Sequence, residues 1–208
     1  MQREQEAGLL AELLCARLCH DLAGAVGAVT AGAELLAEEG AGNLGAGNLQ
    51  AGEALDLMAA SAASLTARLR YLRLALGPCN QSAVTQARGL AEALFSKGYP
   101  QGEWQLDWPA DQVAVSPDQA KLLLNLICLA QESLPRGGVI AVRLGSEVSV
   151  AARGATAVLG EAAQGLTQAC SFEVGPRAAQ GVYAALLASR LGVTITVHQA
   201  AGAVIFTA

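Results

Sequence analysis

Aromatic side chains are scarce in this chain: two tryptophans, three tyrosines and three phenylalanines make 4% of 208 residues. With 23 glycines and a high hydrophobic fraction of 53% whose excess is mostly alanine, close packing has to come from small residues on helices. A basic excess is also lacking. The formal net charge of −5 divides into −4 over residues 1–78 (five basic, nine acidic) and −1 over the remainder (eight basic, nine acidic), which leaves no nucleic-acid footprint. Mean hydropathy is +0.38, yet the first helical pattern lacks an uncharged run of membrane-spanning length. The run in the first helical pattern lasts only from Leu22 to Ala33, between Asp21 and Glu34, well short of the roughly 18 residues of a membrane span. The N-terminus, Met-Gln-Arg-Glu-Gln-Glu, has no basic-then-apolar signal pattern. Five cysteines, an odd number in no regular framework, fit a reducing compartment. The expectation is a cytoplasmic protein of one large or two small domains that binds neither nucleic acid nor membrane.

Histidine is rare too, which singles out Leu14-Cys15-Ala16-Arg17-Leu18-Cys19-His20-Asp21-Leu22. At about 100° per residue, Leu18, Leu22, Ala25, Val29 and Leu36 form one apolar stripe, and His20 lies about 200° from both Leu18 and Leu22. The imidazole points away from the core, where a solvated side chain and a reactive group are both compatible readings. Cys15 and Cys19, one turn apart, lack the second ligand pair of a soft-metal site, so no metal is expected. His198 falls in a terminal strand and reads as structural.

Helical pattern runs from about residue 5 to 39 and breaks in Gly40–Gln50, rich in Gly and Asn. A second helix shows a heptad seam, Leu55, Met58, Ala62, Leu65, Leu69, Leu72 and Leu76. An antiparallel hairpin follows, and because two helices cannot bury both seams, a homodimer pairing two hairpins into a four-helix bundle is expected. A turn near residue 44 or 45 pairs positions whose numbers sum to about 89. His20 is then level with residue 69 and near Arg68, Arg70 and Arg73. Arg17 shares the face of His20 at three residues' distance, while Gly24, Gly27 and Ala31 leave the following turns nearly bare. Guanidinium groups and small residues around a histidine suit a phosphoryl group and a docked surface. They equally suit a solvated helix end and close helix packing.

Gly77-Pro78 closes the second helix, dividing the chain into a hairpin unit, 1–78, and a second unit, 79–208. Beyond it the pattern predicts a helix over Val84–Phe95, strands over Trp104–Trp108 and Gln112–Val115, and a helix capped by Ser116 with Pro117 at its first position. Strands over Val139–Leu144 and Glu147–Ala151, helices over Ala157–Ala169 and Ala178–Leu191, and strands over Val193–His198 and Ala203–Thr207 complete it. Without regular alternation, an α+β sandwich with helices on one face of a mixed sheet is the architecture expected.

A helical hairpin with His-Asp in its first helix, followed by an α+β unit of about 130 residues, resembles the core of sensor histidine kinases, in which a dimerising bundle precedes an ATP-binding (Bergerat) domain. The stretch Lys121-Leu-Leu-Leu-Asn125-Leu-Ile-Cys-Leu129-Ala130 is similar to the helix that supplies asparagines to Mg-ATP, but Leu129 stands at the second asparagine. In Val148-Ser-Val150-Ala-Ala152-Arg-Gly154, Ala152 stands at the aspartate that reads adenine and Thr156 at a later glycine. The glycine-rich lid is reduced to Gly181. Phosphoryl transfer from ATP depends on placing metal and phosphates, so the ATPase-like domain is expected to be degenerate, with no kinase activity.

The stretch Leu14–Leu36, with Leu-Cys-x-Arg-x-Cys-His-Asp-Leu, then Gly-Ala, then Glu-Leu-Leu, resembles the ChpT-type histidine phosphotransferases. The resemblance implies a phosphorelay in which His20 takes a phosphoryl group from one receiver aspartate and passes it to another. Candidate partners are the receiver domain of a hybrid histidine kinase and those of response regulators. His20, Asp21 and Arg17 are then the catalytic candidates, Asp21 to fix the imidazole tautomer and Arg17 to compensate phosphoryl charge. Gly24, Gly27, Arg68, Arg70 and Arg73 are candidates for partner contact. No cofactor of its own is expected, Mg coming with the receiver. Gly24, where many kinases have a polar residue, argues against dephosphorylation by water. Two alternatives remain open, a non-catalytic dimeric adaptor and an atypical ATP-dependent kinase.

Overall fold

The computed structural model describes residues 2–42, 49–78, 81–98, 104–109, 115–166 and 175–208. Helix α1 (Gln2–Gly42) and helix α2 (Leu49–Leu76) pack against each other as an antiparallel hairpin. Its register is the expected one: Arg68 bonds to the backbone of Asp21, and Gly32 lies against Met58, pairs whose numbers sum to 89 and 90. The stripe on α1 also appears, with Leu18, Leu22, Ala25, Val29 and Leu36 half-buried and Gly32 buried among them. A side chain on Gly32 would overlap Met58. This glycine permits close helix approach, whereas a Cβ on Gly24 or Gly27 would meet nothing within 4 Å.

On α2 the seam is displaced by about one residue from the expected positions. Ala54, Ser64, Ala67, Tyr71, Leu74 and Ala75 are buried, while Leu55 and Leu69, the expected seam, are 55% and 50% exposed. The buried stripe serves two neighbours: its N-terminal half faces α1, and Tyr71, Leu74 and Ala75 enter the core of the following unit. A heptad count cannot tell which of two adjacent apolar stripes a chain uses internally.

After α2 come helix α3 (Gln81–Ala93), which runs on through a wider π-helical turn over Leu94–Gly98, and strand β1 (Trp104–Asp107). Helix α4 (Pro117–Glu132) starts as expected. The Ser116 side chain accepts from the Gln119 backbone at 3.2 Å, and the Gln119 side chain accepts from the Ser116 backbone at 2.9 Å. Then follow β2 (Gly138–Leu144), β3 (Val148–Arg153), α5 (Glu161–Gln164), α6 (Ala179–Arg190), β4 (Thr196–Ala200) and β5 (Ala203–Thr207). The sheet order is β1-β2-β3-β5-β4, with β1 parallel to β2 and the other pairs antiparallel. The fold is α+β with a mixed five-stranded sheet. Helix α4 packs on β2, β3 and β5 and also touches α2, α3 and α6, so that Leu122–Ala130 are buried all round it in a core shared with Ile140, Val142, Val150, Ala152, Val204 and Phe206.

Three expectations need correction. The helix over 157–169 shrinks to α5, because Val158 N–H bonds to the Ser133 carbonyl at 3.0 Å and ties the segment before it to the end of α4; residues 167–169 lie outside the described residues. The strand expected from Val193 begins at Thr196. Gly192 at φ +71° closes α6 in a Schellman turn, with Val193 N–H on the Ala188 carbonyl and Gly192 N–H on that of Ser189. Of the strand over Gln112–Val115, residues 112–114 lie outside the described residues and Val115 belongs to no strand.

Candidate functional site

His20 lies on α1 with its side chain 81% exposed, at the edge of a cleft of about 640 Å³ between the hairpin and the α+β unit. The hairpin contributes Arg17, Asp21 and Arg68 to this cleft, and the α+β unit contributes Glu132, Glu161 and Arg177. Neighbouring positions on a helix diverge by about 100°, yet Asp21 Oδ1 comes within 3.4 Å of His20 Nδ1. The second carboxylate oxygen, Oδ2, is 3.5 Å from Arg17 Nε, one helical turn earlier. Arg68 Nη1 donates to the Asp21 carbonyl at 3.1 Å, so both flanking elements converge on the residue after the histidine.

Arg17 has partners that its sequence position does not disclose. Its Nη2 pairs with Glu132 of α4, its Nη1 donates to the Arg177 carbonyl at 2.6 Å, and the side chain is 14% exposed. The guanidinium expected to meet a phosphoryl group is thus largely engaged in joining the two units. Arg177 lies at the cleft with its side chain 73% exposed and 3.2 Å from Glu161. Arg70 and Arg73 are exposed on α2. Gly24 and Gly27 are exposed one and two turns past His20, with open space over them.

The residues missed in the sequence are Glu132, Glu161 and Arg177. One signal existed for Glu132: a carboxylate in the last turn of a helix faces the negative end of the dipole and calls for a cation, and α4 has no basic residue in that turn. Glu161 and Arg177 carry no such signal.

Beneath the cleft, burial pushes the Cys128 thiol up to about 11, against a smaller opposing pull from Arg17. Asn125 is fully buried. Its Nδ2 donates to the Ala75 carbonyl at 2.9 Å and to that of Lys121 at 2.8 Å, and its Oδ1 accepts from Gln180, itself 1% exposed. The residue resembling a Mg-ATP ligand is here a joint between α2, α4 and α6. Leu129 and Ala152 are fully buried core residues. Gly181 lies inside α6, where a Cβ would overlap the Ala162 carbonyl, and a Cβ on Gly165 would overlap that of Ala178; these glycines let α5 and α6 touch. His198 is exposed on β4, opposite Ile205. Among the described residues, no group of three or more His, Cys, Asp or Glu could hold a metal, and no helix is long and apolar enough to cross a membrane.

The chain is similar to known proteins over most of its length. The family described as histidine phosphotransferase C-terminal domain matches residues 84–203. Protein phosphotransferase ChpT of Brucella abortus (strain 2308) is 30% identical over 206 residues, covering 96% of this chain and 94% of that protein. A structure solved as "1.7 Angstrom Structure of a Bacterial Phosphotransferase" superposes with a TM-score of 0.76 at 29% identity, over 95% of this chain and 94% of the other.

Proposed function

We propose, because this chain belongs to the ChpT-type histidine phosphotransferase family and so serves a phosphorelay, that His20 is the residue through which the phosphoryl group passes between receiver aspartates. The observation that carries this reading is the cleft, which sets an exposed imidazole beside a carboxylate and between two arginine-bearing walls. In the forward step the Nε2 lone pair attacks the phosphorus of an aspartyl phosphate. The P–N bond forms as the P–O bond to the aspartate breaks, and the carboxylate leaves. The ring keeps its Nδ1 proton and becomes a phosphoimidazolium beside the Asp21 carboxylate; the second transfer reverses these events on another aspartate. Arg68 and Arg177 line the cleft, which supports a role for both in compensating the phosphoryl oxygens. Mg would come with the receiver's own acidic pocket. The partners in this reading are a hybrid kinase receiver and response-regulator receivers, with Arg70 and Arg73 meeting acidic surface and Gly24 and Gly27 giving it room.

Dimerisation belongs to the same reading. Leu55 and Leu69 share an exposed stripe of α2, flanked by half-buried Met58, Leu65 and Leu72, as a second hairpin packing there would require. The α+β unit reads as a degenerate Bergerat-like domain. Support for its lack of ATP chemistry is the burial of Leu129 and Ala152 and the full use of the Asn125 amide.

The test is transfer from a phosphorylated receiver. His20→Ala is expected to end acceptance and donation while the helical circular dichroism and the dimer persist. A receiver that still loses its phosphate to this variant overturns the assignment, and Mg-ATP binding at micromolar concentration would favour a kinase instead.

A further inference from the structure

We infer that Glu132, although it lies on the α+β unit, is a positioning residue for His20, acting through Arg17 and Asp21 to hold the imidazole as its Nδ1–H tautomer. This rests on His20 being the phosphoacceptor. The contacts form one line across the cleft wall: Glu132 to Arg17 Nη2, Arg17 Nε to Asp21 Oδ2 at 3.5 Å, and Asp21 Oδ1 to His20 Nδ1 at 3.4 Å. Each link has a reason to depend on the one before.

His20 is 81% exposed, and among the described residues Asp21 is the polar partner of its ring. Which nitrogen carries the proton is set by the hydrogen bond that the other makes or accepts. A histidine in water favours the Nε2–H form, the form with its lone pair on the wrong nitrogen for attack from Nε2. Asp21 is 36% exposed and would be free to turn to water were its other oxygen not held by Arg17. Arg17 is a long side chain whose order comes from two contacts with the α+β unit, the Glu132 carboxylate and the Arg177 carbonyl. Its planar fork presents Nη1 and Nη2 to these two while Nε meets Asp21, a fixed separation of donors that the single ammonium of a lysine lacks. The Glu132 carboxylate, for its part, sits at the unfavourable end of α4 and gains from a cation there. The α+β unit thereby acts on the chemistry itself.

The test uses the full-length protein and phosphoramidate, a small donor that needs no docking surface. Its P–N bond breaks as the new P–N bond to the imidazole forms, and ammonia leaves. Phosphorus NMR distinguishes phosphate on Nε2 from phosphate on Nδ1, and nitrogen NMR reports the tautomer. Only two imidazoles exist, so His198→Gln assigns the spectra. The wild type is expected to show the Nδ1–H tautomer and Nε2 product. Glu132→Gln and Arg17→Lys should both move the tautomer toward Nε2–H, slow Nε2 phosphorylation roughly fivefold and add Nδ1 product, with unchanged circular dichroism; Glu132→Asp should restore most of the rate. If Glu132→Gln and Arg17→Lys leave tautomer, product and rate as in the wild type, the positioning role is overturned while the phosphoacceptor reading stands. If His20→Ala is still phosphorylated at the wild-type rate, the phosphoacceptor reading itself fails.

Discussion

Replacing Asn125 by alanine should destabilise the α+β unit by about 3 kcal/mol. The figure follows from what each of its hydrogen bonds does. The Lys121 carbonyl retains the backbone N–H of residue 125 within α4, so losing the 2.8 Å side-chain bond there costs little. The Ala75 carbonyl is different. It lies in the last turn of α2, where a helix supplies no donor four residues on, and Asn125 Nδ2 at 2.9 Å takes that place. Gln180, 1% exposed, would lose its acceptor inside the core. Two buried polar groups left without partners cost about 1–2 kcal/mol each, and the alanine leaves a small void besides. Urea unfolding at matched protein concentration reads the loss directly, and the melting temperature should fall by about 6–12 °C for a chain of this size. The control is the double replacement Asn125→Leu with Gln180→Leu. Removing both partners together should cost clearly less than the sum of the single losses. A loss below about 1 kcal/mol for Asn125→Ala, or strict additivity in the double variant, would refute the reasoning.

Gly181→Ala should lower stability by about 2–3 kcal/mol, because its Cβ would overlap the Ala162 carbonyl; a melting temperature above wild type, as helix propensity alone would give, contradicts this. Gly24→Ala should raise stability by about 1 kcal/mol, since open space surrounds the position, whereas Gly24→Leu should slow receiver transfer roughly tenfold by filling the docking space. An unchanged transfer rate with Gly24→Leu would remove Gly24 from the interface. Cys128 should resist thiol reagents at pH 8 while Cys15 and Cys19, which are exposed, react readily, as peptide mapping would show. Its thiol holds its proton to about 11 when folded and to about 9 when unfolded. The folded state therefore binds the extra proton between these values, and unfolding free energy should decline as pH rises from about 9 to about 11. A Cys128→Ala variant with the same alkaline slope would assign that slope elsewhere.

Much of the hairpin was legible in sequence because its determinants are local. The 3.6-residue period located the stripe on α1, and a glycine- and asparagine-rich break between two helical patterns set a register that Arg68 and Asp21 confirm at 89. The Ser116 cap on α4 was readable for the same reason, being complete within four residues. Where the reading failed, a distant partner decided. The seam of α2 turned by about one residue because Tyr71, Leu74 and Ala75 are claimed by the α+β core. Residues 157–160 left the helix because Ser133, far earlier in the chain, offered its carbonyl.

The sequence alone determined that a histidine would stand exposed beside an aspartate on a long helix, with glycines after it and arginines level with it on the next. Those are consequences of helical period and hairpin register, which act over a few turns. Only the tertiary structure decided which groups share the cleft. It brought Glu132, Glu161 and Arg177 to His20 across more than a hundred residues, and it turned Arg17 into the α+β unit. A guanidinium is a donor fork with several possible acceptors, and its choice among them depends on which carboxylates the packed fold leaves within reach.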